Sequence, residues 1–169
     1  MILQSAIRRR LFLALALVTL VAGAGCGSGE KKPDESPTAD AAVSEVDNLG
    51  QDSDHGGAGG LQTIYFPYDA FTLDSTAKGT LKTNSEVLKQ KGSLKIQVEG
   101  HCDQRGGIQY NIALGEKRAN AVRKYLIDLG VGGDRVTTIS FGKERPLDTA
   151  ENEQAYAKNR RANFVVTSK

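Results

Sequence analysis

The chain has 169 residues, 39% of them hydrophobic and 25% charged, which suits one domain with appendages. Its 22 basic and 20 acidic residues leave a net charge of +2, a near balance that gives no reason to expect nucleic acid, whose binders usually show a strongly basic patch. Two cysteines, Cys26 and Cys102, are too few for a disulfide framework.

The first 25 residues are laid out as a secretory signal. Arg8, Arg9 and Arg10 form a basic start, residues 11–21 are an apolar run, and Ala22-Gly23-Ala24-Gly25 is small. The run is shorter than the roughly 20 apolar residues that span a bilayer as a helix. The small residues end on Cys26, after which the chain turns polar, and this resembles the lipobox of bacterial lipoproteins, with Gly23 where a leucine is usual. The resemblance implies a lipid on Cys26. Gly27, standing where an aspartate would retain a lipoprotein at the inner membrane, implies delivery to the outer one. Residues 26–60 then read as the lipidated cysteine and a disordered linker, with few large apolar side chains to offset the entropy of ordering. As a flexible coil it would reach about 30 Å, and fully extended about 110 Å. His55, among glycines, reads as solvated.

The folded domain is expected over residues 61–169. Residues 62–66, β-branched and aromatic, predict a strand stopped by Pro67. Asp74 or Ser75 is the N-cap candidate of a helix running to about residue 91, with Leu81, Val87 and Leu88 on its apolar face and Gly92 ending it. Residues 93–100 alternate, Leu94, Ile96 and Val98 facing one way, which predicts a half-buried strand. A second helix is expected from Ile108 to Gly130, on the stripe Val122, Tyr125, Leu126 and Leu129, extended by Leu114. Residues 135–141 predict a strand, residues 152–158 a short helix, and residues 164–166 a last strand. Helices alternating with strands predict helices packed on a sheet, whose strand directions the pattern leaves open.

Two charged residues stand apart. Asp103 follows the second strand and precedes a glycine-rich turn, where a carboxylate commonly caps a loop. Arg118 falls about 30° from the centre of the second helix's apolar stripe, counting about 100° per residue. Either its stem packs while its head snorkels to water, or it meets an anion at the rim of the core.

These residues belong to a longer pattern. Gly100-His101-x-Asp103-x-x-Gly106, then Tyr110-Asn111-x-x-Leu114-Gly115-x-x-Arg118-Ala119, then Gly142-Lys143-Glu144-x-Pro146, then Asn159-Arg160-Arg161, resemble the OmpA-like C-terminal peptidoglycan-binding domain over residues 61–169. The resemblance implies an α+β fold, a mixed sheet of about four strands with two main helices packed on it. It implies a binder of the diaminopimelate-bearing stem peptide of peptidoglycan, not an enzyme, and no cofactor. Asp103 would pair with the ligand's ammonium and Arg118 with its carboxylate; Asn111, Leu114, Arg160 and Asp69 would line the pocket. An outer-membrane lipoprotein with a periplasmic domain would tether membrane to wall, with TolB and other Tol proteins as partners in envelope integrity and cell division. Two positions depart from the family pattern: Pro67, where an aspartate often follows the first strand, and Cys102, where threonine or alanine is common.

An enzymatic reading has less support. His101 and Cys102 are adjacent, and neighbours on a strand face opposite sides of the sheet, so they cannot readily form a dyad. His101 is expected to be structural, bonding across the sheet or loop, and Cys102 a thiol beside the site. One His, one Cys and one Asp in a row do not supply a metal site.

Overall fold

The computed structural model describes residues 50–169. The signal segment, Cys26 and the greater part of the expected linker lie outside them. Four strands and three helices follow in order: β1 (Ile64–Tyr65), α1 (Ser75–Gln90), β2 (Lys95–His101), α2 (Ile108–Asp128), β3 (Val136–Gly142), α3 (Glu153–Asn159) and β4 (Arg161–Ser168). The sheet order is β1-β4-β2-β3, with β2 and β3 parallel and the other pairs antiparallel. This is the mixed four-stranded α+β architecture expected.

The helices form where the sequence places caps and stripes. Asp74 caps α1, its carboxylate accepting the Ala77 N–H at 2.7 Å. Leu81 and Leu88 of α1 and Val122 and Leu126 of α2 are fully buried against Ile96, Val98, Phe164 and Val166 of the sheet. Helix α2 lies unusually close to β2. A Cβ at Gly100 would sit 1.9 Å from the Gly115 carbonyl oxygen, and one at Gly115 would sit 2.8 Å from that of Gly100. Only glycines on both sides permit this approach. It brings Arg118, one turn further along α2, down onto the end of β2.

The first strand is shorter than expected because other groups satisfy its flanks. The Asn84 side chain pairs both ways with the Gln62 backbone, at 2.9 and 2.8 Å, and the Phe66 N–H donates to the Arg160 carbonyl. Pro67 then lacks a donor. The last strand is longer than its apolar core predicts, since its polar residues Arg161 and Asn163 are buried as well.

What buries them is part of the segment expected to be linker. Gly50 and Ser53 donate backbone N–H groups to Val166 and Phe164 of β4, and Val166 donates to Gln51. The Asn163 side-chain oxygen accepts from the Ser53 and Asp54 N–H groups and from the Ser53 hydroxyl. Asp54 pairs with Arg161 at 2.7 Å, their side chains only 2% and 4% exposed. Among the described residues, 50–60 therefore pack on the domain ahead of its expected start at Leu61. Composition misses this because the bonds are made by backbone and short polar side chains, not by apolar burial. His55 is solvent-exposed as expected, though its Nδ1 contacts Asp52 at 2.7 Å.

A fragment that begins at Leu61 loses the Asp54–Arg161 ion pair, the polar cover of Asn163 and the backbone bonds to β4. It should be less stable than one beginning at Gly50 by about 1.5–3 kcal/mol, the scale of hydrogen bonds to charged groups, measured by urea unfolding of the two fragments. Equal stability would mean that residues 50–60 contribute nothing to the fold.

Candidate functional site

Beyond β2 the chain runs through Cys102 to Asp103 and then turns into α2, and the turn is built around the Asp103 carboxylate. Oδ1 accepts the Arg105 N–H at 3.1 Å, while Oδ2 meets the Arg105 guanidinium at 2.5 Å and that of Arg160 at 3.3 Å. Burial alone would raise the Asp103 pKa. The Arg105 side chain and backbone, with Arg160, outweigh it and hold the carboxyl below the usual carboxylate range. Asp103 is 4% exposed and ionised.

Arg160 enters from the end of α3. Its Nε donates to the Phe66 carbonyl and its Nη2 to Glu153, so it ties the β1 loop to the site. Arg105 stands at the mouth, its guanidinium between the rings of Tyr68 at 4.2 Å and Tyr156 at 4.4 Å. Its Nε is buried without a hydrogen-bond partner.

Arg118 neither snorkels nor sits at a rim. It is fully buried, with Nε donating to Ala70 O at 2.8 Å, Nη1 to His101 O at 2.8 Å, and Nη2 to Pro67 O at 3.2 Å. A second Nη1 contact reaches the Cys102 sulfur at 3.5 Å. Four of its five N–H groups are thus committed, leaving one on Nη2. Burial lowers its pKa, yet arginine keeps its charge.

Asp69, Asp103, Asn111, Leu114, Arg118 and Arg160 all line one cavity of ≈ 50 Å³. That volume takes a small polar group, well below the roughly 300–1,000 Å³ of pockets for drug-sized ligands and cofactors. Asn111 shapes this cavity more than it faces it, since its Nδ2 donates to the Arg105 and Gly107 carbonyls and braces the turn.

The OmpA family matches residues 65–160. A peptidoglycan-associated lipoprotein of Pseudomonas aeruginosa is 40% identical over 161 residues, covering 89% of this chain and 92% of that one. A second, from Pasteurella multocida, is 38% identical, covering 88% and 95%. The chain belongs to the OmpA family, among the peptidoglycan-associated lipoproteins. Among solved structures, the peptidoglycan-associated lipoprotein of Burkholderia pseudomallei superposes with a TM-score of 0.60 at 38% identity, over 62% of this chain and 88% of that one. The C-terminal domain of Helicobacter pylori MotB, at 19% identity and a TM-score of 0.61 over 65% and 87%, shares the fold alone.

Beyond the six expected residues the fold adds Tyr68, Arg105, Gly106 and Tyr110 to the cavity wall, and Cys102 with them. Arg105 sits two residues from Asp103, and that spacing on a tight turn was the available signal. Nothing local signals Tyr68, which is brought in by the β1 loop. Cys102 lies beside the site, 3% exposed, its thiol donating to the Asn111 carbonyl at 3.4 Å. Burial pushes the thiol pKa up, away from thiolate chemistry.

His101 departs from the expected role. It is 1% exposed and stacks on Phe141, but neither ring nitrogen has a hydrogen-bond partner. The Glu99 carboxylate is 3.5 Å from Nε2, beyond hydrogen-bond length. His101 and Cys102 therefore serve different surroundings and form no dyad. Burial lowers the His101 pKa from its ordinary 6.5; Glu99 opposes that shift, Arg161 adds to it, and Asp54 opposes it weakly. For Glu99, burial raises the pKa but His101 and Asn163 bring it below 4.5.

A group held neutral in the folded state but protonated in the unfolded one costs stability as pH falls. Unfolding free energy should therefore decline below about pH 6.5, by at most about 1.4 kcal/mol per pH unit for this one proton. The Glu99 contribution, present above its unfolded pKa, is lost only at lower pH, below 4.5. His101→Phe should flatten the limb between those values in urea titrations across pH. A limb of unchanged slope would show that His101 titrates alike folded and unfolded.

Proposed function

We propose that this protein binds the diaminopimelate-bearing stem peptide of peptidoglycan non-covalently, without catalysis, and tethers the outer membrane to the cell wall through lipid on Cys26. The observation that carries the reading is the two-signed cavity, a buried ionised Asp103 facing three guanidinium groups in a space of ≈ 50 Å³. The family's pattern and the peptidoglycan-associated lipoproteins among its relatives point the same way. The free end of diaminopimelate carries an ammonium and a carboxylate on one carbon, and a pocket for it needs both charges within a few ångströms.

The ammonium pairs with Asp103, taking over lone pairs that Arg105 and Arg160 hold in the free protein. The carboxylate meets the cationic wall. Arg118 contributes the one N–H left on Nη2, while its other donors hold the wall in place. A guanidinium suits this work because its planar fork can bond a carboxylate and fixed carbonyls at once. Leu114 supplies apolar contact, and Asp69 and Asn111 shape the rim. The domain works in the periplasm, with TolB and other Tol proteins as partners. Against catalysis stand a cysteine thiol pushed away from ionisation and a histidine without hydrogen-bond partners.

Asp103→Asn keeps size and removes charge. Hydrogen bonds to charged groups are worth roughly 1.5–3 kcal/mol, so affinity for the stem tripeptide should fall about tenfold to a hundredfold. Calorimetric titration of the variant, with its fold checked by circular dichroism, measures this; wild-type affinity in a folded variant would remove Asp103 from the binding role.

For the anchor, Cys26→Ser should abolish acylation and leave the protein in the soluble envelope fraction. Two acyl signals hold stably where one is marginal. A serine variant that stays with the outer membrane after a salt wash would show that the attachment is not through Cys26.

A further inference from the structure

The two most exposed large hydrophobic side chains among the described residues, Tyr68 at 61% and Tyr110 at 56%, stand at the mouth of the Asp103 cavity. Single exposed rings are ordinary. These two are exposed and also held in place. The Tyr110 hydroxyl donates to the Asp69 carboxylate. Asp69 adopts φ +52°, the left-handed region that a residue with a side chain enters at a cost. Among the described residues it is alone in this among non-glycines. The strained backbone thus presents a carboxylate that fixes an exposed ring, and strain of this kind gathers at functional sites. Tyr68 is held by other means, its ring against the Arg105 guanidinium, which also meets the Tyr156 ring.

Rings already immobilised have little conformational entropy left to lose on binding. The faces of tyrosine rings carry negative charge density, which matches the electron-poor C–H groups on the apolar face of a pyranose. An aliphatic peptide would call for a continuous apolar surface, whereas here the rings border the polar groups of Asp69, Asp103 and Arg105. In peptidoglycan the stem starts on a sugar, and diaminopimelate is its third residue. Three extended residues span at most about 10 Å, so with diaminopimelate at Asp103 the sugar lies within one stem length of the two rings.

We propose that Tyr68 and Tyr110 form a saccharide platform at the mouth of the cavity, on which the pyranose ring bearing the bound stem rests. The inference rests on the stem-peptide reading above. It assigns the glycan a direct contact and makes the muropeptide, rather than the peptide alone, the full ligand.

The test compares two ligands on the full chain: the stem tripeptide alone, and the same tripeptide carried on its N-acetylated disaccharide. The wild type should bind the disaccharide form up to about tenfold more tightly, the scale of one or two ring contacts. The readout is the ratio of the two affinities, so any loss common to both ligands cancels. Tyr68→Ala and Tyr110→Ala should each lower the ratio, and the double variant should bring it to one. Tyr68→Phe, which keeps the ring face, should preserve it. Saturation transfer from tyrosine ring protons to sugar protons in the unmodified protein supplies a readout independent of how the variants fold. A wild-type ratio of one, or a ratio that ignores both tyrosines together with no transfer to the sugar, overturns the platform and leaves the stem reading standing. Failure of the wild type to bind the tripeptide at all overturns both.

Discussion

The buried guanidinium of Arg118 is the constraint on which the site depends. From one turn of α2 it reaches the carbonyls of Pro67 and Ala70 in the β1 loop and of His101 at the end of β2. Those two segments carry Tyr68, Asp69 and Asp103 of the cavity wall. A cation taken out of water is costly unless its donors are met, and here four of five are. Without it, three carbonyls would each lose a donor and two loops their common fastening. The paired glycines at 100 and 115 make it possible, since any side chain between β2 and α2 would lift Arg118 away from the strand end.

Around that fastening the charges are arranged so that each neutralises another while the ligand is absent. Asp103 is shared by Arg105 and Arg160, and both arginines also meet Glu153. Arg105, a third exposed at the mouth, is the member of this set most easily displaced. A zwitterion can enter such a network with little change in net charge, its ammonium replacing one cation and its carboxylate engaging another. On the proposed reading, a ligand with only one of the two charges would leave the network unbalanced, and selectivity for zwitterionic stems would follow from the pairing.

The opposite face of the sheet solves a separate problem. β4 carries Arg161 and Asn163 where apolar residues would be ordinary, and the segment from Gly50 to Asp54 covers them with matched polar partners. With β1 paired only at Ala162 and Arg161, this segment also closes the rest of the β4 edge that would otherwise stand open. Residues 50–54 are thereby fastened to the domain on the far side of β4 from β2.

Much of this was legible before any coordinates. Helix α1 with its Asp74 cap, the stripe of α2, the alternation of β2 and the Gly-His-x-Asp turn follow from local periodicity and local turn chemistry, which act over a few residues. The six residues expected at the site do share one cavity. What only the tertiary structure decided is who meets whom: Arg118 with Ala70 across 48 residues, Arg161 with Asp54 across 107. It decided that Arg105 shields Asp103, that His101 lacks hydrogen bonds, and that residues 50–60 belong to the fold. A side chain's type limits what it can bond, but its partner is set by packing between elements distant in the chain, and no pattern along the chain encodes that distance.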